Sequence, residues 1–261
     1  MKTVFIVWGY SMMKTPAEWI HDDETLTDLQ VCHWKVLQKK QGFRFSLDAV
    51  LLAHFAGLKE GWHICDLGCG CGIIALLLAS RAANLSIDGI ELQIELADMA
   101  ARSMALNEIP QIQIHQADLR TLPPSWQDRY DLVVCNPPYF LPGTGKQSPL
   151  TQVALAKHEL SCTLDEVLAS ASRLLKSNGR LAIVHRPSRL GQLLTGCAAH
   201  HLAPRRLRLV HPTAQKEANL ILLEAVKGAK EDLHIEAPLI IYDASGQYSP
   251  EAAHYFGGKS L

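Results

Sequence analysis

Short apolar runs alternate along this chain with helical stripes, and the alternation predicts strands separated by helices. Trp62 to Leu67 reads as a strand that breaks at Gly68, with Ile73-Ile-Ala-Leu-Leu-Leu-Ala79 as the helix after it. Ser86 to Ile90 is the next strand, Gln93 to Leu106 the next helix and Gln111 to His115 the strand after that. Leu132 to Cys135 is a short buried strand that runs into a stiff loop. Thr163-Leu-Asp-Glu166 has the spacing of a capping box, and Leu164, Val167, Leu168, Ala171, Leu174 and Leu175 form one stripe up to a predicted helix stop at Asn178-Gly179. Strand 180–184, helix 189–199 and strands 206–210 and 219–226 follow. Upstream, Trp34 to Lys40 alternates like an edge strand, and Leu47, Val50, Leu51 and Phe55 mark a helix with Ser46 as its N-cap. Leu239 to Tyr242 with the turn Asp243-Ala-Ser-Gly246 predicts a short hairpin or cap. Val4-Phe-Ile-Val-Trp8 reads either as a strand or as an extension, and Met12 and Met13 leave an internal start open. The whole predicts an α/β sandwich around a mainly parallel sheet: an extension at 1–30, a domain at 31–227 and a cap at 228–261 packed on that domain.

Composition narrows the partners. The chain of 261 residues is 48% hydrophobic and 20% charged, as a protein with a full core should be. Lys+Arg 25 against Asp+Glu 26 leaves it near neutral, so contact with nucleic acid has to come from local patches. One candidate runs from His200 to Lys216, where Arg205, Arg206, Arg208 and Lys216 occur with no acid between them. Strand alternation would put Leu207 and Leu209 on one face and Arg206 and Arg208 on the other. A second set, Lys35, Lys39, Lys40 and Arg44, follows the acidic run Asp22-Asp23-Glu24. Solvated surface is the commoner fate of such runs. Seven cysteines, mostly in apolar contexts, suggest reduced thiols and a cytoplasmic protein. The spacing of Cys65, Cys69 and Cys71 fits no zinc or cluster pattern, so no metal is expected. No run is long enough to span a membrane, and Val4 to Met13 lacks the small-residue cleavage site of a secretory signal.

Two stretches carry chemistry. In Asn136-Pro137-Pro138-Tyr139 the prolines have no N–H, so the loop offers carbonyl oxygens without competing donors. Asn136 adds an amide oxygen and Tyr139 an aromatic face, a set that can receive the hydrogens of a planar NH2 group and stack its ring. A plain proline turn closing a strand is the bland alternative. In Asp66-Leu-Gly68-Cys-Gly70-Cys-Gly72 a strand ends in a glycine turn that opens a helix, which lets a ligand approach backbone N–H groups. The spacing differs from the dinucleotide fingerprint, and Asp66 would repel a pyrophosphate, so a cationic ligand fits better. Glu91, 25 residues after Asp66, suits a ribose diol, and Asp118 an exocyclic adenine amine. The loop with Gly143, Gly145 and Lys146 reads as substrate-facing. Asp66, Glu91, Asp118 and Asn136 all fall at the C-terminal edge of the predicted sheet, where such folds bind ligands.

This ordered set resembles the class I S-adenosylmethionine-dependent methyltransferases over about residues 34–227, and Asn136-Pro-Pro-Tyr139 resembles their amino-methylating branch. Gln41-Gly-Phe-Arg-Phe-Ser-Leu-Asp48-Ala-Val-Leu-Leu52, the Asn219-Leu-Ile-Leu-Leu-Glu-Ala stretch and the tail 238–256 are similar to the tRNA1(Val) adenine-N6 methyltransferase family. The resemblance implies a Rossmann-like three-layer sandwich with seven strands, one of them antiparallel. It implies S-adenosyl-L-methionine as cofactor and RNA, namely tRNA, as partner, methylated on the adenosine 3′ to the anticodon. Asp66, Gly68, Gly70 and Gly72 would hold the methionine portion, Glu91 the ribose and Asp118 the adenine, with Phe45 and Ser46 closing the pocket. Asn136, which also borders the cofactor, and Pro137 would accept the target amine, and Tyr139 would stack its base. Pro138, Lys146, Arg206 and Arg208 would meet the RNA. Rival readings are a protein glutamine N5-methyltransferase, whose family looks to carry a longer helical N-terminal domain, an rRNA guanine-N2 methyltransferase, and a cofactor-binding RNA module without turnover.

Overall fold

Strands that are apolar on both faces have to be covered on both, and helices cover them here. The structure is a computed structural model and describes residues 19–29, 31–41, 47–137, 162–230 and 232–256. A two-stranded antiparallel ribbon, β1 (Glu24–Asp28) and β2 (Lys35–Lys39), leads into α1 (Leu47–Phe55). Then come β3 (His63–Leu67), α2 (Ile73–Ala79), β4 (Ser86–Glu91), α3 (Ile94–Leu106), β5 (Ile112–Gln116) and β6 (Tyr130–Cys135). The second half holds α4 (Leu164–Leu174), β7 (Leu175–His185), α5 (Leu190–Ala199), β8 (Leu202–His211) and β9 (Leu220–Lys227). The chain closes with the two-residue strands β10 (His234–Ile235) and β11 (Leu239–Ile240) and with α6 (Pro250–Tyr255).

The long strands lie in the order β5-β4-β3-β6-β7-β9-β8, with β10 and β11 both added in parallel to β8. β9 runs antiparallel to β7 and to β8, and the other pairings are parallel. The expected seven strands with one reversed are therefore present, plus two stubs at one edge. Ile64, Leu132, Val134, Ala182 and Leu222 bury one face against α1, α2 and α3. Cys65, Leu67, Val133, Leu181 and Ile183 bury the other against α4 and α5.

The capping box forms: Glu166 N–H donates to Thr163 Oγ1 at 3.2 Å, and Thr163 N–H to Glu166 Oε2 at 2.7 Å. The expected helix stop at Asn178-Gly179 does not. The helix ends at Leu174 and the chain passes directly into β7. Leu175 pairs with Tyr130 and Arg180 with Leu132, so the residues between them bulge out of the ladder. Asn178 takes φ 63, and a Cβ on Gly179 would lie 2.9 Å from Lys176 O and 3.0 Å from Tyr130 O. The Asn-Gly pair serves a bulge inside a strand, where the same backbone freedom is needed.

The edge strand expected near Trp34 is β2, and its outer edge is closed by side chains of α3. Leu37 N–H donates to Ser103 Oγ at 3.0 Å and Lys35 N–H to Asn107 Oδ1 at 2.8 Å, while Asn107 Nδ2 donates to Lys35 O at 2.6 Å. Beside them Arg102 grips Glu24 through two bonds of 2.7 Å, donates to Asp98 at 2.8 Å and caps the Trp19 carbonyl. Glu24 and Arg102 are both buried. Removing one partner strands a buried charge, at a cost of about 3–5 kcal/mol. Arg102→Ala should therefore lower the urea-unfolding free energy by that order, whereas the matched pair Glu24→Gln with Arg102→Met should lose much less.

Candidate active site

The chain reverses its direction of travel across the sheet at β3: it crosses first to β4 and β5, then returns to β6 on the other side. A crevice opens at such a switch point, outside the carboxyl ends of the strands. Asp66 pairs with Gly89 on β4 and Val134 on β6. Glu91 lies two residues beyond Gly89 on β4, so the period of two turns it and Asp66 toward one face, the side of α1–α3, and Asn136 follows directly on the end of β6 beside them. The turn after β3 runs through Gly68, Gly70 and Gly72 at φ 71, 55 and 81, a region that side chains resist. Gly68 has nothing within 4 Å of a would-be Cβ, so its flank is open, whereas one on Gly72 would lie 2.6 Å from Met104 Cε. Gly89, not singled out in the sequence, leaves room for the turn: a Cβ there would lie 2.9 Å from Cys69 Sγ.

Asp66 is fully buried, and neither carboxylate oxygen has a hydrogen-bond partner among the described residues. Burial, and after it the charge of Glu91, pushes its carboxyl up to about 8; the Ala75 amide in α2, outside hydrogen-bonding geometry, pulls weakly the other way. Glu91 is buried too, but its carboxylate is occupied: Gly70 N–H donates to Oε2 at 3.0 Å and Gln93 N–H to Oε1 at 2.9 Å. It thus props the glycine turn. Asp118, at the end of the next strand, accepts from Arg120 N–H at 2.9 Å and from the Arg120 guanidinium at 2.6 to 3.0 Å. Those guanidinium bonds hold its carboxyl below the usual range. Arg120 was not foreseen, although it lies only two residues on.

Asn136 is half-buried and Pro137 buried, directly beyond the last residue of β6. Phe45, Ser46, Pro138, Tyr139, Gly143, Gly145 and Lys146 lie outside the described residues. Arg206 and Arg208 lie on β8, away from the crevice, and their neighbourhood is acidic. Arg206 donates to Glu236 at 2.6 Å and to the fully buried Glu224 at 3.3 Å, with Arg180 on the same carboxylate at 2.6 Å. Arg208 forks onto Glu251 at 2.7 and 2.8 Å, and Arg205 reaches Asp232 at 3.3 Å. The basic run is acid-free in sequence alone: β9, the segment after it and α6 bring carboxylates to each of these arginines. The expected alternation does hold, with Leu207 packed in the α4/α5 core. A further buried cluster was not foreseen: Asp88 meets His115 Nε2 at 2.7 Å, accepts from Tyr130 OH at 2.8 Å and faces Arg129 at 3.2 Å, lashing β4, β5 and β6 together.

Residues 48–192 match the family model described as the methyltransferase small domain. The chain is 34% identical over 220 residues to a tRNA1(Val) (adenine(37)-N6)-methyltransferase of Porphyromonas gingivalis, covering 80% of this chain and 85% of that protein. Its fold is similar to that of a predicted O-methyltransferase of Agrobacterium tumefaciens, with TM-score 0.66 and 23% identity over 82% of this chain and 100% of that one. It is also similar to phosphoethanolamine N-methyltransferase 2 of Haemonchus contortus in complex with S-adenosyl-L-methionine, with TM-score 0.51 and 13% identity over 70% of this chain and 52% of that one. The strand order, the family model and the identity over four-fifths of the chain agree with the motif at Asn136 and the glycine turn, and the chain belongs to the methyltransferase small-domain family, among the tRNA1(Val) (adenine(37)-N6)-methyltransferases.

Proposed function

We propose that the protein transfers a methyl group from S-adenosylmethionine to the exocyclic N6 of an adenine in tRNA, the adenosine 3′ to the anticodon of a valine tRNA. The observation that carries this reading is Asp66, a buried carboxylate without a partner, next to the strand end from which Asn136 follows. A cationic donor beside a planar amine suits both. The name of the Porphyromonas relative supports the choice of base and RNA.

The residues fit the cofactor. Asp66 would take the ammonium of its methionine portion, and the open flank of Gly68 would let that portion lie against the backbone. Glu91, aimed by the Gly70 and Gln93 amides, would offer its remaining lone pairs to the ribose diol. Asp118, oriented by Arg120, would accept from the adenine amine beside the guanidinium fork. When bound, the cofactor supplies a methyl group on a positively charged sulfur. The amide oxygen of Asn136 and the carbonyl of Pro137 accept the two hydrogens of the target amine, which gathers the N6 lone pair and aims it at the methyl carbon. Asn136 and Pro137 would hold the amine while the proton that N6 gives up leaves to water, so the chain would need no strong base, and positioning and electrostatics would supply the rate. Reaching N6 requires the base to leave its stack.

Nucleoside mass spectrometry of tRNA from cells with and without the gene tests the reading: N6-methyladenosine should vanish from the valine tRNA. Its persistence, with loss of N2-methylguanosine from ribosomal RNA or of methylglutamine from a protein, would transfer the assignment to a rival.

Asn136→Ala should cut turnover by about 100-fold or more while S-adenosylmethionine affinity, measured by calorimetry, shifts only a few-fold. Near-normal turnover would remove the acceptor role.

Asp66 makes affinity and stability respond to pH in opposite directions. Its folded carboxyl, at about 8, lies above the ordinary 3.8 of the unfolded chain, so the folded state holds an extra proton between those values and loses stability as pH rises through them. Binding an ammonium expels that proton. Affinity should therefore rise from pH 6 toward 8 with proton release, levelling near pH 8 where the α-amino group begins to lose its own charge. Asp66→Asn should abolish the proton release and the affinity together, and unfold with a flatter stability-versus-pH curve than wild type. A variant with the wild-type curve would show that the titrating group is elsewhere.

A further inference from the structure

A tRNA carries phosphate charge to whichever surface it meets, and folding has brought partners to much of the charge most visible in the sequence. Besides the arginines of β8, Lys39 pairs with Asp23 at 2.7 Å and Lys40 donates to the Asp22 carbonyl at 2.7 Å. Positive charge remains at the C-terminal edge of the sheet, on the side of β7 away from β3. Segments 185–191 and 211–219 contribute Arg186, Arg189 and Lys216 against one acid, Glu217. Among the described residues neither Arg189 nor Lys216 has a carboxylate partner; Arg189 reaches Gln192 through Nη1, and its Nε is buried without a hydrogen bond.

Hydrogen bonds join these residues into one rim. β7 pairs with β6 up to Cys135, the residue before Asn136, and ends at His185. Arg186 donates to Asn219 O at 3.4 Å, Asn219 N–H to Val210 O at 2.9 Å, and His211 Nδ1 meets Lys216 O at 2.7 Å. Ile241 N–H donates to His211 O and Tyr242 N–H to Pro212 O, each at 2.9 Å. The rim therefore crosses four strand spacings from Asn136, roughly 19 Å.

At its far end stand three stacked rings. Tyr242 and Tyr248 lie 5.3 Å apart at 19°, and Phe256 continues the stack 4.9 Å beyond Tyr248 at 24°. Tyr242 is 37% exposed and Tyr248 44%. The buried aromatic pair Trp126 and Tyr130 is instead tilted at 60° and packed in the core. A row of cations that ends at a partly exposed stack of rings is what a single-stranded nucleic acid binds: phosphates along the charges, a base against the Tyr242 end of the stack.

We propose that Arg189, Lys216 and the Tyr242–Tyr248 stack form a docking track for the single-stranded RNA that flanks the target adenosine, fixing which nucleotide reaches Asn136. The proposal rests on the tRNA reading above. It is tested with the full-length protein and unmodified valine tRNA transcript, by fluorescence anisotropy across a salt series. Tyr242→Leu with Tyr248→Leu should weaken binding about tenfold or more, while the paired Phe substitutions, which keep the π-faces, stay close to wild type. Arg189→Gln with Lys216→Gln should reduce the log–log salt slope by about 0.7 per lost contact. In each case KM for tRNA should rise with kcat and S-adenosylmethionine affinity preserved. The charge pair lies outside the aromatic cap, so a fold defect in the leucine variants leaves the charge arm decisive. Unchanged affinity and slope in folded variants of a wild type that methylates tRNA would overturn the track alone, as would recovery of leucine-sensitive binding by a protein partner in place of RNA. A wild type that neither binds nor methylates tRNA would overturn the functional reading itself.

Discussion

Burying a carboxylate without a partner opposes folding, and the switch point of this sheet is built around one. Asp66 sits one residue before the end of the central strand, inside a layer where Ile64, Leu132 and Val134 exclude water. The charge of Glu91 nearby makes the ionised form harder still to keep. Everything else at this edge is satisfied and stiff: the Gly70 and Gln93 amides fix Glu91, Arg120 fixes Asp118, and prolines follow Asn136. The unsatisfied requirement is concentrated in one group, and a cationic ligand removes it. Strain gathered at a functional position and offset by an ordinary apolar core elsewhere is a recurrent arrangement in enzymes.

Arginines carry a different constraint in the second half. Residues 232–256 bury few large side chains, Leu239 and Ile241 among them. Arg206 to Glu236 and Arg208 to Glu251 tie this segment to β8, and the Arg208 bonds hold Glu251 below the usual carboxylate range. Arg206 also lies over the Phe55 ring at 4.5 Å, so α1, β8 and the segment meet at one guanidinium. These cations place the tyrosine stack; their charge is spent internally.

Most of the fold was legible because its signals are local. The strand–glycine–helix stretch at 62–79 and the capping box at Thr163 each occupy one short window and formed where expected, and Asp66, Glu91 and Asp118 each lie at or just past the end of their own strand. What failed needed partners far along the chain. Asn178-Gly179 has the chemistry of a helix stop and of a bulge, and only the pairing of Leu175 with Tyr130 decides between them. Arg208 and Glu251 are 43 residues apart, and Asp88 and Tyr130 are 42, so neither bond leaves a mark in a local window. Arg120 is the exception. It is two residues from Asp118, so the Asp-x-Arg turn is a signal contained in a local window.

The side chains that close the outer edge of β2 govern what the ribbon can do to other molecules. An open strand edge is a template: any extended segment, from this chain or another, can lay its amides along it and continue the sheet. Ser103 and Asn107 take the place of that next strand, answering the Lys35 and Leu37 amides and the Lys35 carbonyl with a helix that cannot itself be extended sideways. Growth by strand addition on the β2 side of the ribbon therefore stops at α3, held off by two polar side chains about seventy positions away.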